Sequence, residues 1–313
     1  MTLANFLDPL SSTKLVLMDR FLNEMIELYN SNKFPKVLLL NGQKGIGKFT
    51  LVFHFLNYIF TKEENKPYNL KDKIINKDSF FYNQILNKTN QDVMLLRAEE
   101  NKNIKIDDIR NLKTTLSRSS LSNKPRFVVI DEVEFINENS TNALLKSLEE
   151  PSDNNFFILI NNQQAELIKT ISSRCLKSNI FLNSQETKTI INYLLEYNNI
   201  KGLIDSNNNL TPGLFIQFNE IYSKLNITKE DKIQSKIRKL LNGYNKNKSK
   251  VLINLTLFLI DQYFLKLAQA NEKKIDLLLC LKTDINKNIN DFIHYNLNIN
   301  SVLNSIEIKL NNV

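Results

Sequence analysis

The chain has 313 residues, enough for two or three compact units of ~100 to 200 residues each. Hydrophobic residues make up 42% and charged residues 24% of the chain, which is ordinary for a globular protein and excludes a disordered composition. The formal net charge of +8 suits a nucleic-acid partner, but a genome biased towards Lys, Asn and Ile gives the same excess, and both explanations remain open.

The N-terminal segment MTLANFLDPL lacks the basic and apolar regions of a signal peptide, and no run of ~18 uninterrupted apolar residues occurs. We therefore expect a cytoplasmic protein without a membrane span. Its two cysteines, Cys175 and Cys280, are too few for a disulfide framework or a four-thiolate zinc site, so we expect reduced thiols.

Short apolar runs alternate with longer amphipathic stretches in the first half of the chain. The runs lie at residues 37–40, 93–96, 127–130 and 156–160. This alternation predicts a parallel sheet with helices on both faces, which we assign to an α/β domain at 1–181. Beyond Phe181 the spacing is helical throughout, and we divide that part into a small helical domain at 182–228 and an all-α domain at 229–313.

A glycine-rich loop follows the first apolar run and precedes a helical stretch, as in a P-loop. Its residues in NGQKGIGKFT include Gly42, Gly45, Gly47 and Lys48. Glycines allow backbone N–H groups to face phosphate oxygens, and the lysine neutralises their charge. Phe49, however, stands where the pattern GxxxxGK[ST] has the hydroxyl that binds magnesium, and Thr50 comes one residue late. Nucleotide binding with impaired hydrolysis and a plain glycine turn both remain open.

Two carboxylates follow the apolar run that ends at Ile130, in the order expected of a Walker B element. Asp131 is then the candidate that orients magnesium, and Glu132 is the candidate that activates the attacking water. A solvent-facing strand end is the alternative, but an upstream P-loop favours the catalytic interpretation. Asn161 or Asn162, after the fourth run, is the candidate sensor of the γ-phosphate.

The stretch 128–175 reads VVIDEVEFINENSTNALLKSLEEPSDNNFFILINNQQAELIKTISSRC. It resembles the bacterial clamp-loader AAA+ family, in which an acid-tipped strand leads to a helix reading NALLKxLEEP and then to an SRC motif. The segment 104–117, IKIDDIRNLKTTLS, resembles the segment before Walker B in delta-prime type members. The resemblance covers most of residues 35–180 and is loose beyond them, where it implies a helical lid at 182–228 and a helical collar at 229–313.

The resemblance implies a hetero-pentamer that uses ATP to open a sliding clamp and place it on primed DNA, with gamma/tau and delta subunits as partners. The SRC motif lies at residues 173–175, which makes Arg174 the arginine finger for a neighbouring subunit's ATP site. A guanidinium is always charged and can fork onto phosphate oxygens. A surface arginine in a local salt bridge is the alternative.

Departures from the family pattern indicate which type of subunit this is. No Cys lies between Lys48 and Asp131, so we expect no zinc. The lid segment 210–218, LTPGLFIQF, has no basic residue to face the chain's own phosphates. Phe49 and the missing basic residue favour a delta-prime type stator. We expect such a stator to bind ATP with magnesium weakly or without hydrolysing it, and we expect Glu132 to be vestigial. The alternative is an ATP-hydrolysing motor of gamma/tau type.

Overall fold

The computed structural model describes residues 8–97, 104–117, 124–204, 209–271 and 274–311. The chain forms two compact units, numbered 1–217 and 218–313. The finer division into three domains, with a boundary at 228, stays a prediction.

The first unit is an α/β domain. Its strands are β1 (Val37–Asn41), β2 (Val93–Arg97), β3 (Arg126–Asp131), β4 (Asn155–Asn161) and β5 (Leu176–Asn179). Its helices are α1 (Asp19–Asn30), α2 (Lys48–Phe60), α3 (Phe80–Leu86), α4 (Ile106–Ser117), α5 (Glu138–Glu149), α6 (Lys169–Ser172) and α7 (Ser184–Tyr197), and α8 (Pro212–Lys224) begins in it. The five strands form one parallel sheet in the order β2-β3-β4-β1-β5. This confirms the predicted α/β domain with a parallel sheet and flanking helices.

The side chains of the strands alternate between two apolar cores. Leu38 and Leu40 of β1 belong to the core shared with α1, α2 and α3, whereas Leu39 belongs to the core shared with α4 and α5. Because both faces are covered, the central strands are apolar at almost every position, and their runs could be recognised in the sequence. The edge strand β5 could not, because its side chains are mostly exposed, with Leu176 57% exposed.

The second unit is helical among the residues that the structure describes. It contains the end of α8 and α9 (Ile233–Asn247), α10 (Lys250–Ala270), α11 (Ile275–Tyr295) and α12 (Ile299–Asn311). Leu240, Leu255, Ile285 and Leu303 are fully or almost fully buried between these helices. The predicted helical C-terminal region is thus confirmed.

Helix α10 is the single helix in the described part of the chain whose length and composition would allow a membrane crossing. It has 21 residues and a mean hydropathy of 1.5, and a third of its most apolar window is buried. Its buried side chains, among them Leu255, Ile260 and Phe264, pack within the helical unit. A core helix of a bundle passes the same length and composition test, so the feature is weak support for a membrane span.

Candidate functional site

Neighbouring strands end at polar residues on one edge of the sheet. In the parallel register, Arg97 at the end of β2 lies beside Asp131 at the end of β3. Asn161 at the end of β4 lies beside Asn41 at the end of β1. The carboxyl ends of parallel strands are where open α/β sheets bind ligands. The P-loop, residues 42–48, leaves β1 at this same edge.

The P-loop has the backbone that its glycines predict. Gly45 and Gly47 have φ angles of +84° and +96°, a left-handed conformation that residues with a Cβ adopt at a cost. Lys48 is buried, and its Nζ donates to the carbonyl oxygens of Gly42 and Gln43 at 2.7 and 2.8 Å. Burial lowers the pKa of Lys48 to about 8, although nearby carboxylates oppose the shift. The lysine is therefore held by its own loop.

The segment that begins α8 lies directly on the P-loop. The Gly213 N–H donates to the Gly45 carbonyl at 2.8 Å, and the Thr211 hydroxyl donates to the Lys44 carbonyl at 2.6 Å. A Cβ added to Gly213 would lie 2.8 Å from the Gly45 Cα, so only glycine allows this approach. The predicted lid segment thus reaches the phosphate loop through backbone groups, without a basic side chain.

Asp131 is engaged on both of its oxygens. Its Oδ2 lies 3.4 Å from the Arg97 Nε. Its Oδ1 accepts the Glu132 backbone N–H at 3.0 Å and lies 3.4 Å from the side-chain Nδ2 of Asn162. Burial raises the pKa of Asp131, whereas the Arg97 charge opposes that shift. The Arg97 guanidinium also lies over the Phe49 ring, with 4.3 Å between its Cζ and the ring centroid.

Sequence reasoning missed Arg97. The signal was present, because a basic residue directly after the apolar run 93–96 sits at the sheet edge that carries Asp131.

The second Walker B carboxylate is also paired within the chain. Glu132 Oε1 lies 2.6 Å from the Nζ of Lys44, a P-loop residue, and Lys44 also donates to the Gln164 side chain at 3.2 Å. Glu132 adopts a left-handed backbone with φ of +58°, which is uncommon for a residue with a Cβ. The candidate catalytic base is therefore already bound to a cation.

Glu134 is a second residue that sequence reasoning missed. It is buried, and its carboxylate accepts the Asn162 N–H at 3.0 and 3.2 Å and the Gln164 N–H at 3.4 Å. Burial raises its pKa, and these backbone hydrogen bonds oppose the shift. Glu134 thus holds the loop that follows β4 against the site.

Of the two asparagine candidates, Asn161 bonds to Asn41, with 3.0 Å between its Nδ2 and the Asn41 Oδ1. Asn162 is the one that faces Asp131. The sensor role of either stays a prediction.

A cavity of about 290 Å³ opens beside the P-loop and the Walker B carboxylates. Its polar lining comes from Lys48, Thr50, Asp131, Glu132 and Asn162, and its apolar lining includes Met18, Ile190 and Leu214. Its size and mixed lining suit a small polar ligand with an apolar part.

Arg174 lies away from all of these residues. It precedes β5, whose Leu176 pairs with Leu38 of β1. The P-loop begins four residues after Leu38, and Arg174 stands two residues before Leu176. The two therefore lie at opposite ends of the strands, and the length of β5, Leu176–Asn179, separates them by about 13 Å along the strand direction. That distance is longer than an arginine side chain.

The Arg174 guanidinium is held at the surface. Its Nε donates to the Glu149 Oε1 at 2.8 Å, and its Nη1 donates to the Thr170 carbonyl at 2.8 Å. The side chain is 31% exposed. Next to it, burial raises the pKa of the Cys175 thiol to about 11, and Cys175 forms no disulfide.

No group of three or more His, Cys, Asp or Glu residues suited to a metal ion occurs within the ranges that the structure describes. The expected absence of zinc stays a prediction.

A family profile described as "DNA polymerase III, delta subunit" matches residues 18–183. A "DNA polymerase III subunit delta'" of Buchnera aphidicola (subsp. Baizongia pistaciae) is 27% identical over 174 residues, covering 53% of this chain and 49% of that protein. The protein of the same name from Pseudomonas aeruginosa is 38% identical over 90 residues, 28% of this chain and 27% of the relative. A "DNA polymerase III subunit gamma" of Buchnera aphidicola (subsp. Acyrthosiphon pisum) is 34% identical over 102 residues, 33% of this chain and 27% of the relative.

The chain thus spans about half or less of the length of these relatives. They confirm the resemblance to delta-prime type subunits, with a gamma subunit also among the matches. Because the profile covers just over half of the 313 residues, the chain belongs to the DNA polymerase III delta subunit family.

Proposed function

We propose that this chain is a delta-prime type stator of the DNA polymerase III clamp loader, which donates Arg174 to the ATP site of a neighbouring subunit during sliding-clamp loading. The position of Arg174 carries the proposal. The residue lies at the end of the strands opposite its own P-loop, about 13 Å away along β5, so a role at phosphate oxygens requires another chain's nucleotide.

The local geometry of Arg174 is consistent with presentation to a partner. Glu149 and the Thr170 carbonyl bind the Nε side and one Nη, which fixes the direction of the guanidinium while about a third of the side chain stays exposed. A surface ion pair of this kind contributes only about 0–1 kcal/mol to stability. The neighbour's phosphates can therefore replace Glu149 at low cost and gain a charge-assisted, forked contact.

The chain's own nucleotide site supports weak or absent turnover. Phe49 replaces the metal-binding hydroxyl, Lys44 binds Glu132, and the segment that starts α8 has no basic residue. ATP could still be held by the backbone N–H groups of residues 45–48 and by Lys48, once Lys48 leaves the loop carbonyls. Under this proposal the partners are gamma/tau and delta subunits, the clamp and primed DNA, in a hetero-pentamer in the bacterial cytoplasm.

The second candidate is an ATP-hydrolysing motor of gamma/tau type, which the similarity to a gamma subunit favours. ATP hydrolysis by the purified chain separates the two proposals. We expect the isolated chain to turn over little or no ATP, and its mixture with a motor subunit, delta, clamp and primed DNA to hydrolyse ATP efficiently. Robust hydrolysis by the isolated chain would establish the motor and exclude the stator.

A further inference from the structure

We infer that the Arg97 guanidinium is a built-in cation that replaces a divalent metal ion at Asp131, so that this AAA+ site does not bind magnesium. The inference concerns the chain's own P-loop site and does not depend on the role of Arg174.

Both oxygens of Asp131 already have a partner from within the chain. Arg97 lies 3.4 Å from Oδ2, while Oδ1 accepts the Glu132 N–H and faces the Asn162 amide nitrogen. Asp131 is also almost fully buried, and a buried carboxylate requires a charge partner or hydrogen bonds. Arg97 supplies that charge from within the fold, whereas in a P-loop ATPase the bound magnesium is close to this acid.

Phe49 completes the substitution. In the pattern GxxxxGK[ST] the residue at this position gives magnesium a hydroxyl ligand. In this chain the buried aromatic ring of Phe49 stands where that hydroxyl would be, and the centre of the ring lies 4.3 Å from the Arg97 Cζ. An aromatic ring has no oxygen for magnesium, but its negative face attracts a flat guanidinium. The two departures from the ATPase pattern therefore act together: a hydroxyl and a metal are exchanged for a ring and an arginine.

The charge balance of the site points the same way. The Walker B pair carries two carboxylates, and each has a cation from this chain: Arg97 on Asp131 and Lys44 on Glu132, the latter at 2.6 Å. Lys48 and Glu134 add one charge of each sign nearby, and the Asp8 Oδ1 lies 3.5 Å from the Arg97 Nη1. A divalent ion that coordinated Asp131 or Glu132 would compete with these cations for the same carboxylates.

Thermal unfolding of the full chain, without nucleotide, tests the inference with MgCl₂ as the probe and NaCl at equal ionic strength as the reference. We expect no Mg²⁺-specific shift of the wild type. The double variant Arg97→Ala/Phe49→Thr restores the hydroxyl and removes the guanidinium, and we expect Mg²⁺ to raise its unfolding temperature by about 3 °C or more. Arg20→Ala is the matched control, because Arg20 also lies over aromatic rings, those of Phe21 and Phe181.

A Mg²⁺-specific stabilisation of the wild type, or a double variant that folds but does not respond to Mg²⁺, would overturn the inference. Binding of Mn²⁺, followed by the loss of the free-ion electron paramagnetic resonance signal, is a second readout that compares the wild type with the single variant Asp131→Asn. We expect no bound Mn²⁺ that depends on Asp131, so equal signals for the wild type and Asp131→Asn support the inference. Bound Mn²⁺ that disappears in Asp131→Asn would contradict it.

Discussion

Replacing the P-loop lysine by methionine should change how stability depends on pH. The pKa of Lys48 is lowered by burial from its ordinary 10.5 to about 8. Between these values Lys48 is neutral in the folded chain but protonated in the unfolded chain, so the unfolded state binds one more proton. The stability of the wild type therefore rises with pH across this window, relative to a variant without the group.

The interval spans about 2.5 pKa units, which at ~1.36 kcal/mol per unit gives roughly 3 kcal/mol. Chemical denaturation of the wild type and of Lys48→Met at about pH 7 and about pH 10 measures how this contribution to the unfolding free energy changes with pH. We expect the difference in unfolding free energy to move by about 2 to 3 kcal/mol in favour of the wild type at the higher pH. Lys71→Met, at an exposed lysine, is the control. A difference for Lys48→Met that stays constant with pH would refute the reasoning.

Two further predictions concern a buried histidine of α2 and the glycine that contacts the P-loop. His54 bonds to the Ser12 carbonyl and the Tyr68 hydroxyl, and burial lowers its pKa from 6.5 to about 4, so stability should fall by up to about 3 kcal/mol as pH drops through that window. We expect His54→Gln to remove most of this loss of stability at acidic pH in chemical denaturation experiments. A loss as large as that of the wild type would contradict the lowered pKa of His54. The added methyl group of Gly213→Ala should push residue 213 away from Gly45 and lower the unfolding free energy by about 1–3 kcal/mol. We expect amide hydrogen exchange in the P-loop to become about tenfold faster or more, and an unchanged exchange rate would contradict this contact.

The sequence predicted the central strands because these are covered on both faces, which makes nearly every side chain apolar. Phe127 to Ile130 are all fully buried, so their run has no polar interruption. The edge strand β5 is formed by backbone pairing with β1 while its side chains face solvent. Such a strand leaves no hydrophobic pattern, and a pattern-based prediction cannot find it.

The phosphate loop and the acid pair were recognisable because each follows an apolar run at a short, fixed spacing. Their partners were not. Arg97 and Lys44 are distant from Asp131 and Glu132 in the chain, and parallel strand register is what brings Arg97 beside Asp131. Spacing within one segment does not encode which strands become neighbours. The pairing of charges, and therefore the chemistry of the site, follows from the strand order.

The contact between the start of α8 and the P-loop could also be predicted only in part. The absence of a basic residue at 210–218 could be read directly from the sequence. The docking of Gly213 and Thr211 onto the P-loop carbonyls could not, because it uses backbone groups and one hydroxyl over a large separation along the chain. Glycine at 213 is explained only by the closeness of Gly45.

The donation of Arg174 to a neighbouring subunit is the central claim, and the DNA-stimulated ATPase of a reconstituted clamp loader tests it most directly. Complexes would contain the wild type, Arg174→Ala, Arg174→Lys or the exposed-arginine control Arg110→Ala, with assembly checked by gel filtration. The account predicts a loss of about 10³-fold for Arg174→Ala, partial activity at most for Arg174→Lys, and wild-type activity for the control. Full ATPase activity in a correctly assembled Arg174→Ala complex would contradict it.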